Sequence, residues 1–385
     1  MKTRRRVLVV ARHFWPTTND DSLRLYHWAQ QLIGQGCEVS VATPRWHASW
    51  PQRIVCDGIL VSRIDSPPTH TLKLGSYARQ LAHWLSSEAG RRDLVYCDDP
   101  HADAATILSQ AASLRGVPVV VRYVETAEGS KTRRQAMEAC RRANLVLVSS
   151  PVAEQQLLSS GLARQHVLRA VQVHGCNIDR SPEARRAARQ VLAEANHDLF
   201  ARSQDRVLVC PGELTAASGV GQLIRELSPL IDEHRWLRVW LLGDSRERPA
   251  IYEMLQHEGL HRLVAMPGIF TDLTEVLQAA DLCVFPTAGL GFGWLIPTCI
   301  ANSIPVLVND SSEARRLLGD QANELAVRFD LARELRGRVG QWLLNPQPLS
   351  QSIASLRRYA VGATTPSLAV ADLVRKMEAI AQPHA

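Results

Sequence analysis

Residues 281–310 read DLCVFPTAGLGFGWLIPTCIANSIPVLVND. Residues 281–285 have the length and apolar continuity of a buried strand, 288–293 form a glycine-rich turn, 294–302 fit a helix, and 305–308 are the next strand. Strand, glycine turn and helix in that order make a ligand-binding unit of an open α/β sheet. The turn presents unpaired backbone N–H groups, and the helix adds the positive end of its dipole. Phosphates and sugar oxygens suit such a spot. A dinucleotide fingerprint needs GxGxxG, but after Gly289 and Gly291 the third position is Trp294. A nicotinamide-dependent oxidoreductase therefore fails on its own motif.

The same alternation runs outward in both directions. Upstream, strands are predicted at 7–11, 38–43, 59–64, 93–97, 118–123, 145–149 and 166–173, with helical spacing between most of them, as in Leu23, Tyr26, Ala29, Leu32 and Ile33. An Arg-rich and Ala-rich segment, 179–205, interrupts the pattern and reads as a linker with its own helix. A second series follows, with strands at 206–210, 238–242, 263–266, 281–285, 305–308 and 324–329. Such βαβ order predicts parallel sheets covered by helices on both faces. The chain of 385 residues is long enough for two such domains. They are expected at 1–178 and 206–355, facing each other across a cleft, with 356–385 forming a C-terminal helix that returns to the first.

Composition places the chain among folded soluble proteins, with 46% hydrophobic and 21% charged residues. The net charge of +6 is uneven: residues 1–180 carry 23 Lys and Arg against 15 Asp and Glu, whereas the remainder is slightly acidic. A basic first half suits an anionic partner such as a membrane surface or a charged glycan, although a solvated basic face explains it equally well. Eight scattered cysteines, with no CxxC pair, argue for reduced thiols and against a disulfide framework or zinc site. Only five apolar residues, 7–11, precede Arg12, too few for a signal-peptide core. The expectation is a cytoplasmic protein that touches the inner face of a membrane through its basic half, beginning at Arg4, Arg5 and Arg6.

The 281–310 stretch resembles the signature of glycosyltransferase family 4, retaining enzymes with the GT-B fold of two Rossmann-like domains. That pattern runs Glu-Gly-Phe-Gly, four residues, Glu-Ala-Met-Ala, one residue, Gly, one residue, Pro-Val. Here it reads Leu290-Gly291-Phe292-Gly293, four residues, Thr298-Cys299-Ile300-Ala301, then Asn302 to Val306. LLGDSRERP (241–249), VAMPGIFTDLTEVLQAADLCVFPT (264–287), VLVVARHFWP (7–16) and VHGCNID (173–179) resemble further parts of the family in the expected order. The resemblance thus covers nearly the whole chain. It implies transfer of a sugar from a nucleotide-sugar donor to a glycan, lipid or polysaccharide acceptor, with retention of configuration, and no metal, cofactor or nucleic-acid partner.

The frame is kept, but the side chains are changed. In the family the first glutamate contacts the transferred sugar and the second grips the ribose. Leu290 accepts no hydrogen bond, and Thr298 offers only a short, uncharged hydroxyl. An Arg and a Lys brace the donor diphosphate in the family, and the matching segment PGELTAASGVGQLI (211–224) puts Glu213 and Ser218 at those positions. A carboxylate about 5 Å from one diphosphate charge costs roughly 3 kcal/mol at an effective dielectric near 20. By resemblance the donor-binding positions are Gly291, Phe292, Gly293, Leu290, Thr298, Glu213 and Ser218, with no catalytic residue assigned. The reading is a family 4-like transferase whose catalysis is weakened or absent. The alternatives are an active transferase with a rebuilt donor site and a non-catalytic glycan- or partner-binding protein.

Other candidates carry less signal. Arg246 and Arg248 would reach a phosphate only by swinging from the surface, and Arg24 and Arg122 are lone charges near strand ends. Trp15 and Trp46 would stack on sugar rings, whereas Trp28 lies on an apolar helix face and reads as core. His13 and His27 show no metal-ligand spacing.

Overall fold

The computed structural model describes residues 5–16, 20–65, 74–88, 92–98, 103–110, 114, 116–123, 130–148, 151–169, 178–212, 214–215, 218–243, 245, 247–268, 270, 272–286, 295–329, 331, 333–361 and 375–376. Contacts divide the chain into two units, one chiefly Arg24–Gln172 with the first strand, the other chiefly Val173–Thr364.

The first unit is built on an eight-stranded sheet. Its strands are β1 (Arg6–Val10), β2 (Glu38–Arg45), β3 (Arg53–Cys56), β4 (Ile59–Asp65), β5 (Leu94–Cys97), β6 (Val119–Tyr123), β7 (Leu145–Val148) and β8 (Val167–Arg169). They lie in the order β3-β4-β2-β1-β5-β6-β7-β8. All neighbours are parallel except β3 and β4, which pair antiparallel through the two-residue turn Asp57-Gly58. Both turn residues have positive φ, +47° and +81°, as a turn that follows the strand twist requires. Parallel neighbours need crossovers. Helices α1 (Asp20–Gly34), α2 (Leu74–Glu88), α3 (Asp103–Ser109), α4 (Ser130–Arg142) and α5 (Pro151–Ser159) supply them.

Period-two alternation sends neighbouring residues of each strand to opposite faces. Leu8 and Val10 of β1 enter one apolar cluster with Tyr77, Leu81 and Leu85 of α2. Val7 and Val9 enter the other with Leu25, Trp28 and Leu32 of α1. A sheet sandwiched this way is covered on both faces at its centre, and β1, β5 and β7 are accordingly apolar and buried.

The second unit holds six parallel strands: β9 (Arg206–Pro211), β10 (Leu237–Leu242), β11 (Val264–Gly268), β12 (Leu282–Phe285), β13 (Val306–Asn309) and β14 (Ala326–Val327). Their order is β11-β10-β9-β12-β13-β14. Helices α6 (Pro182–Ala195), α7 (Val220–Glu233), α8 (Arg248–His257), α9 (Thr274–Ala279), α10 (Leu295–Ala301), α11 (Ser312–Leu318), α12 (Ala322–Leu325), α13 (Glu334–Leu344) and α14 (Gln347–Val361) surround it. One continuous apolar cluster, with Trp240 fully enclosed, fills the unit.

Three expectations meet the structure here. The strand expected over 324–329 is only the two-residue β14, because α12 takes residues through Leu325. Helix α6, from the stretch read as a linker, packs on α9 in the second unit. Ser181 caps it by accepting from the Ala184 N–H at 3.2 Å. Helix α14 rests on α10, α12 and α13 of the same unit as far as residue 361, and residues 362–374 and 377–385 of the expected returning segment lie outside the described residues.

Helix α6 is fixed by charge. Asp281, at the root of β12, accepts from Arg185 at 2.5 Å and Arg189 at 2.6 Å, and from the Val207 backbone N–H at 2.8 Å. Arg180 donates to the carbonyls of Leu277 at 3.1 Å and Ala280 at 2.7 Å, closing the carboxyl end of α9. Burial pushes the Arg180 and Arg189 guanidiniums down from their usual range, and Asp281 offsets part of that shift.

Candidate functional site

Parallel sheets bind ligands beyond the carboxyl ends of their strands. In the second unit that edge includes the turn after β9, the end of β12 and the start of α10. Leu290, Gly291, Phe292 and Gly293, with the rest of 287–294, lie outside the described residues, as do Glu213 and Arg246. The flanks of the loop are described and constrain it.

Ser218 stands before α7 and is engaged locally. Its hydroxyl donates to the Thr215 carbonyl at 2.7 Å, its N–H donates to the Thr215 hydroxyl at 3.2 Å, and it accepts from the Thr215 N–H at 3.3 Å. Ser218, expected at a donor-binding position, is thus engaged in neutral local bonds with Thr215. Gly219 follows in the left-handed region at φ +78°, and a Cβ there would sit 3.1 Å from the Pro286 carbonyl oxygen. The turn after β9 and the end of β12 therefore approach closely, at a φ that favours glycine. Asn309 braces the same carbonyl, donating at 3.0 Å.

Thr298 lies on the first turns of α10 and is fully enclosed, at 0% exposure. Its carbonyl accepts from the Asn302 side-chain amide at 2.9 Å, and Asn302 in turn accepts from the Ile178 N–H at 3.0 Å. With α10 in this position its hydroxyl faces protein. Arg248 donates to the Met266 carbonyl at 2.6 Å rather than standing in solvent. Beyond β13, Arg315 grips Asp310 with two bonds of 2.6 Å, and its hydrogen bond holds that carboxyl below the usual carboxylate range.

The carboxyl edge of the first sheet is furnished differently. Strand order reverses between β1 and β5, and Asp98 sits at that switch point, its N–H bound to the Val10 carbonyl at 2.9 Å. Its carboxylate accepts from Arg24 at 2.5 Å, from Arg122 at 3.2 Å and from the Tyr96 hydroxyl at 2.9 Å, and the Arg122 Nε lies 2.9 Å away as an ion pair. The two arginines read as lone charges in sequence are thus brought onto one buried carboxylate from α1 and β6. Burial pushes the Tyr96 phenol up, and the Asp98 charge adds to the shift. With three donors described around it, Asp98 is a clamp for the guanidiniums rather than a general base. Nothing in the spacing of residues 24, 98 and 122 announces this cluster.

Trp28 is core, as expected, at 4.3 Å from the Tyr96 ring. Trp15 and Trp46 are half-buried beside the ends of β1 and β2. Among the described residues no group of three or more His, Cys, Asp or Glu is placed to hold a metal. The seven described cysteines are free thiols, and among the described residues no helix is long and apolar enough to cross a membrane.

Comparison with known proteins places this geometry. Residues 205–345 match the family model "Glycosyl transferases group 1", and residues 22–171 match "Glycosyl transferase 4-like domain". A curated relative, the putative glycosyltransferase EpsD of Bacillus subtilis, is 24% identical over 146 residues, 38% of each chain. This match spans well under half of EpsD. Among solved structures, sucrose-phosphate synthase from Thermosynechococcus elongatus superposes with a TM-score of 0.70 at 16% identity, over 98% of this chain and 100% of that one. Anabaena HepE, solved with UDP and glucose, gives 0.69 at 16% identity over 97% and 99%. Two parallel α/β units with these neighbours are the GT-B architecture, and with one family model on each unit the chain belongs to the group 1, family 4-like glycosyltransferases.

Proposed function

We propose that this chain is a family 4 glycosyltransferase framework whose grip on a nucleotide-sugar donor is weakened, so that transfer is slow or lost. The observation that carries the reading is Ser218, a neutral side chain closed onto Thr215 where a diphosphate would need a cation. Enclosure of Thr298 removes a second contact, to the ribose. Glu213 and Leu290, at the remaining matched positions, add an anion and an aliphatic chain. Each missing charge-assisted contact to a developing diphosphate is worth a factor of about 10² in rate. The residual chemistry would be retaining transfer to a glycan, lipid or polysaccharide acceptor. The setting would be cytoplasmic, with the basic first half resting on an anionic membrane.

Calorimetric titration with UDP-, GDP- and ADP-sugars tests this. We expect no binding tighter than about 100 μM. A donor bound more tightly than that, with turnover, would establish the runner-up reading, an active transferase with a rebuilt site. HepE, solved with UDP-glucose, favours trying UDP-glucose first. Combining Leu290→Glu, Thr298→Glu, Glu213→Arg and Ser218→Lys should raise donor affinity, and no rise would mean that the positions are wrongly matched.

A further inference from the structure

The turn between β3 and β4 carries a chemistry that has no part in donor binding. We propose that Asp57-Gly58 is the site at which this chain ages by isoaspartate formation, and that the Tyr26 phenol sets the rate. The inference is independent of the transferase reading.

The reaction is an internal condensation. The Gly58 backbone nitrogen attacks the Asp57 Cγ; a C–N bond forms, the bond to the carboxyl hydroxyl breaks, and that hydroxyl leaves with the amide hydrogen as water. The five-membered succinimide so formed takes water back at either carbonyl. One opening restores aspartate, and the other routes the backbone through the side chain as isoaspartate. Water is the only co-reactant. A side chain on the following residue hinders the attack, and glycine has none. Residues 57–58 are the only Asp-Gly pair in the chain, which has no Asn-Gly pair.

The site is open to solvent. Asp57 and Gly58 are both exposed. A Cβ built on Gly58 would have Ile33 Cδ1 as its one neighbour within 4 Å, at 3.9 Å, so an imide ring has room there. Asp57 already stands in the left-handed region at φ +47°, a conformation that costs a residue with a side chain.

Helix α1 opposes the reaction. The Tyr26 hydroxyl donates to the Asp57 carboxylate, and the Cys56 thiol approaches the same oxygen at 3.7 Å. One turn further along α1, the Gln30 amide donates to the Asp57 carbonyl at 3.1 Å. Tyr26 is only 8% exposed, and burial first, then its bond to Asp57, pushes the phenol up, so it remains a donor at neutral pH. Cyclisation requires the Asp57 side chain to rotate until Cγ meets the Gly58 nitrogen. That rotation breaks the Tyr26 bond and leaves a buried donor without its acceptor, which raises the barrier. Once formed, isoaspartate adds a methylene to the backbone of a two-residue turn and disturbs the Cys56–Ile59 pairing that closes β3 on β4.

Ageing of the whole protein in warm neutral buffer tests this, with isoaspartate labelled by an isoaspartyl methyltransferase and located by tryptic mapping. We expect the label in the fragment 54–63, IVCDGILVSR, at a rate well below that of the same sequence as a free peptide. Tyr26→Phe should speed labelling about fivefold, the effect of one lost hydrogen bond. Tyr26→Leu, which also lacks the hydroxyl, is a second variant with the same expectation, and thermal melts show which variants fold. Asp93→Asn, which loosens the same sheet at its amino edge, should leave the rate unchanged and so separates loss of the phenol from general loosening. Label concentrated in other fragments, folded protein ageing as fast as the peptide, or folded Tyr26 variants ageing no faster than wild type overturns the proposal.

Discussion

The carboxyl edges of the two sheets are built from different materials. At the first, two guanidiniums close on the buried carboxylate of Asp98, and the guanidinium of Arg63 lies over the indoles of Trp15 and Trp50. At the second, the contacts described beside the loop are neutral: Ser218 is bonded to Thr215, Gly219 lies against Pro286, and Thr298 is enclosed. Both edges have the backbone form of a ligand site, and only one has conspicuous side-chain equipment for recognition. One fold thus furnishes equivalent edges with very different side chains.

The comparison breaks most visibly at Asp98. Asp98→Ala leaves Arg24 and Arg122 buried without their shared carboxylate and should cost about 3–5 kcal/mol in urea denaturation. A loss below about 1 kcal/mol would mean that the first edge is not held by charge. Next is Gly219→Ala, which forces a side chain into the left-handed region and toward Pro286 and should cost about 1–2 kcal/mol. Tolerance of alanine would show that the second edge does not depend on that close approach. Ser218→Ala removes the two hydroxyl bonds to the Thr215 backbone, and about 1 kcal/mol should be lost. Because those bonds are neutral, the loss should be unchanged in high salt.

The smallest effect is a control at the opposite, amino edge of the first sheet. There Asp93 accepts from the Arg6 N–H at 2.8 Å and from its guanidinium at 3.0 Å. Burial pushes the Asp93 carboxyl up, but these bonds outweigh it and leave the group below the ordinary carboxylate value. A folded-state value below the unfolded one contributes stability above about pH 3.9, and that stability is lost as pH falls through the folded value. The melting-temperature gap between wild type and Asp93→Asn should be small and level from pH 7 to 5, then close below about pH 4. A gap that widens on acidification would reverse the assigned sign.

Much of this architecture is legible in the sequence because it rests on local pattern. Apolar runs such as VLVV and LVYC are strands buried on both faces, and helical spacing between them leaves a parallel sheet as the natural solution. Strand β3 escaped that reading although Asp57-Gly58 between two apolar runs is a hairpin signal. Residues 324–329 misled because a short apolar run does not distinguish a strand from a helix end. The sites were harder. Arg24 meets Asp98 across 74 positions, and Arg189 meets Asp281 across 92, so no spacing rule connects them. Arginine also reads as surface by type, while here it reaches inward to carbonyls and carboxylates. The expected donor positions rest only on likeness to a family, since nothing about Ser218 taken alone marks it as a donor contact.

Arg180, Arg185 and Arg189 determine where this protein can be cut. A fragment beginning at Arg206, where the strand pattern restarts, would strip Asp281 of Arg185 and Arg189, leave it only Arg206 at 3.8 Å, and uncap the end of α9. Any excised C-terminal half intended to remain soluble must start upstream of Asp179.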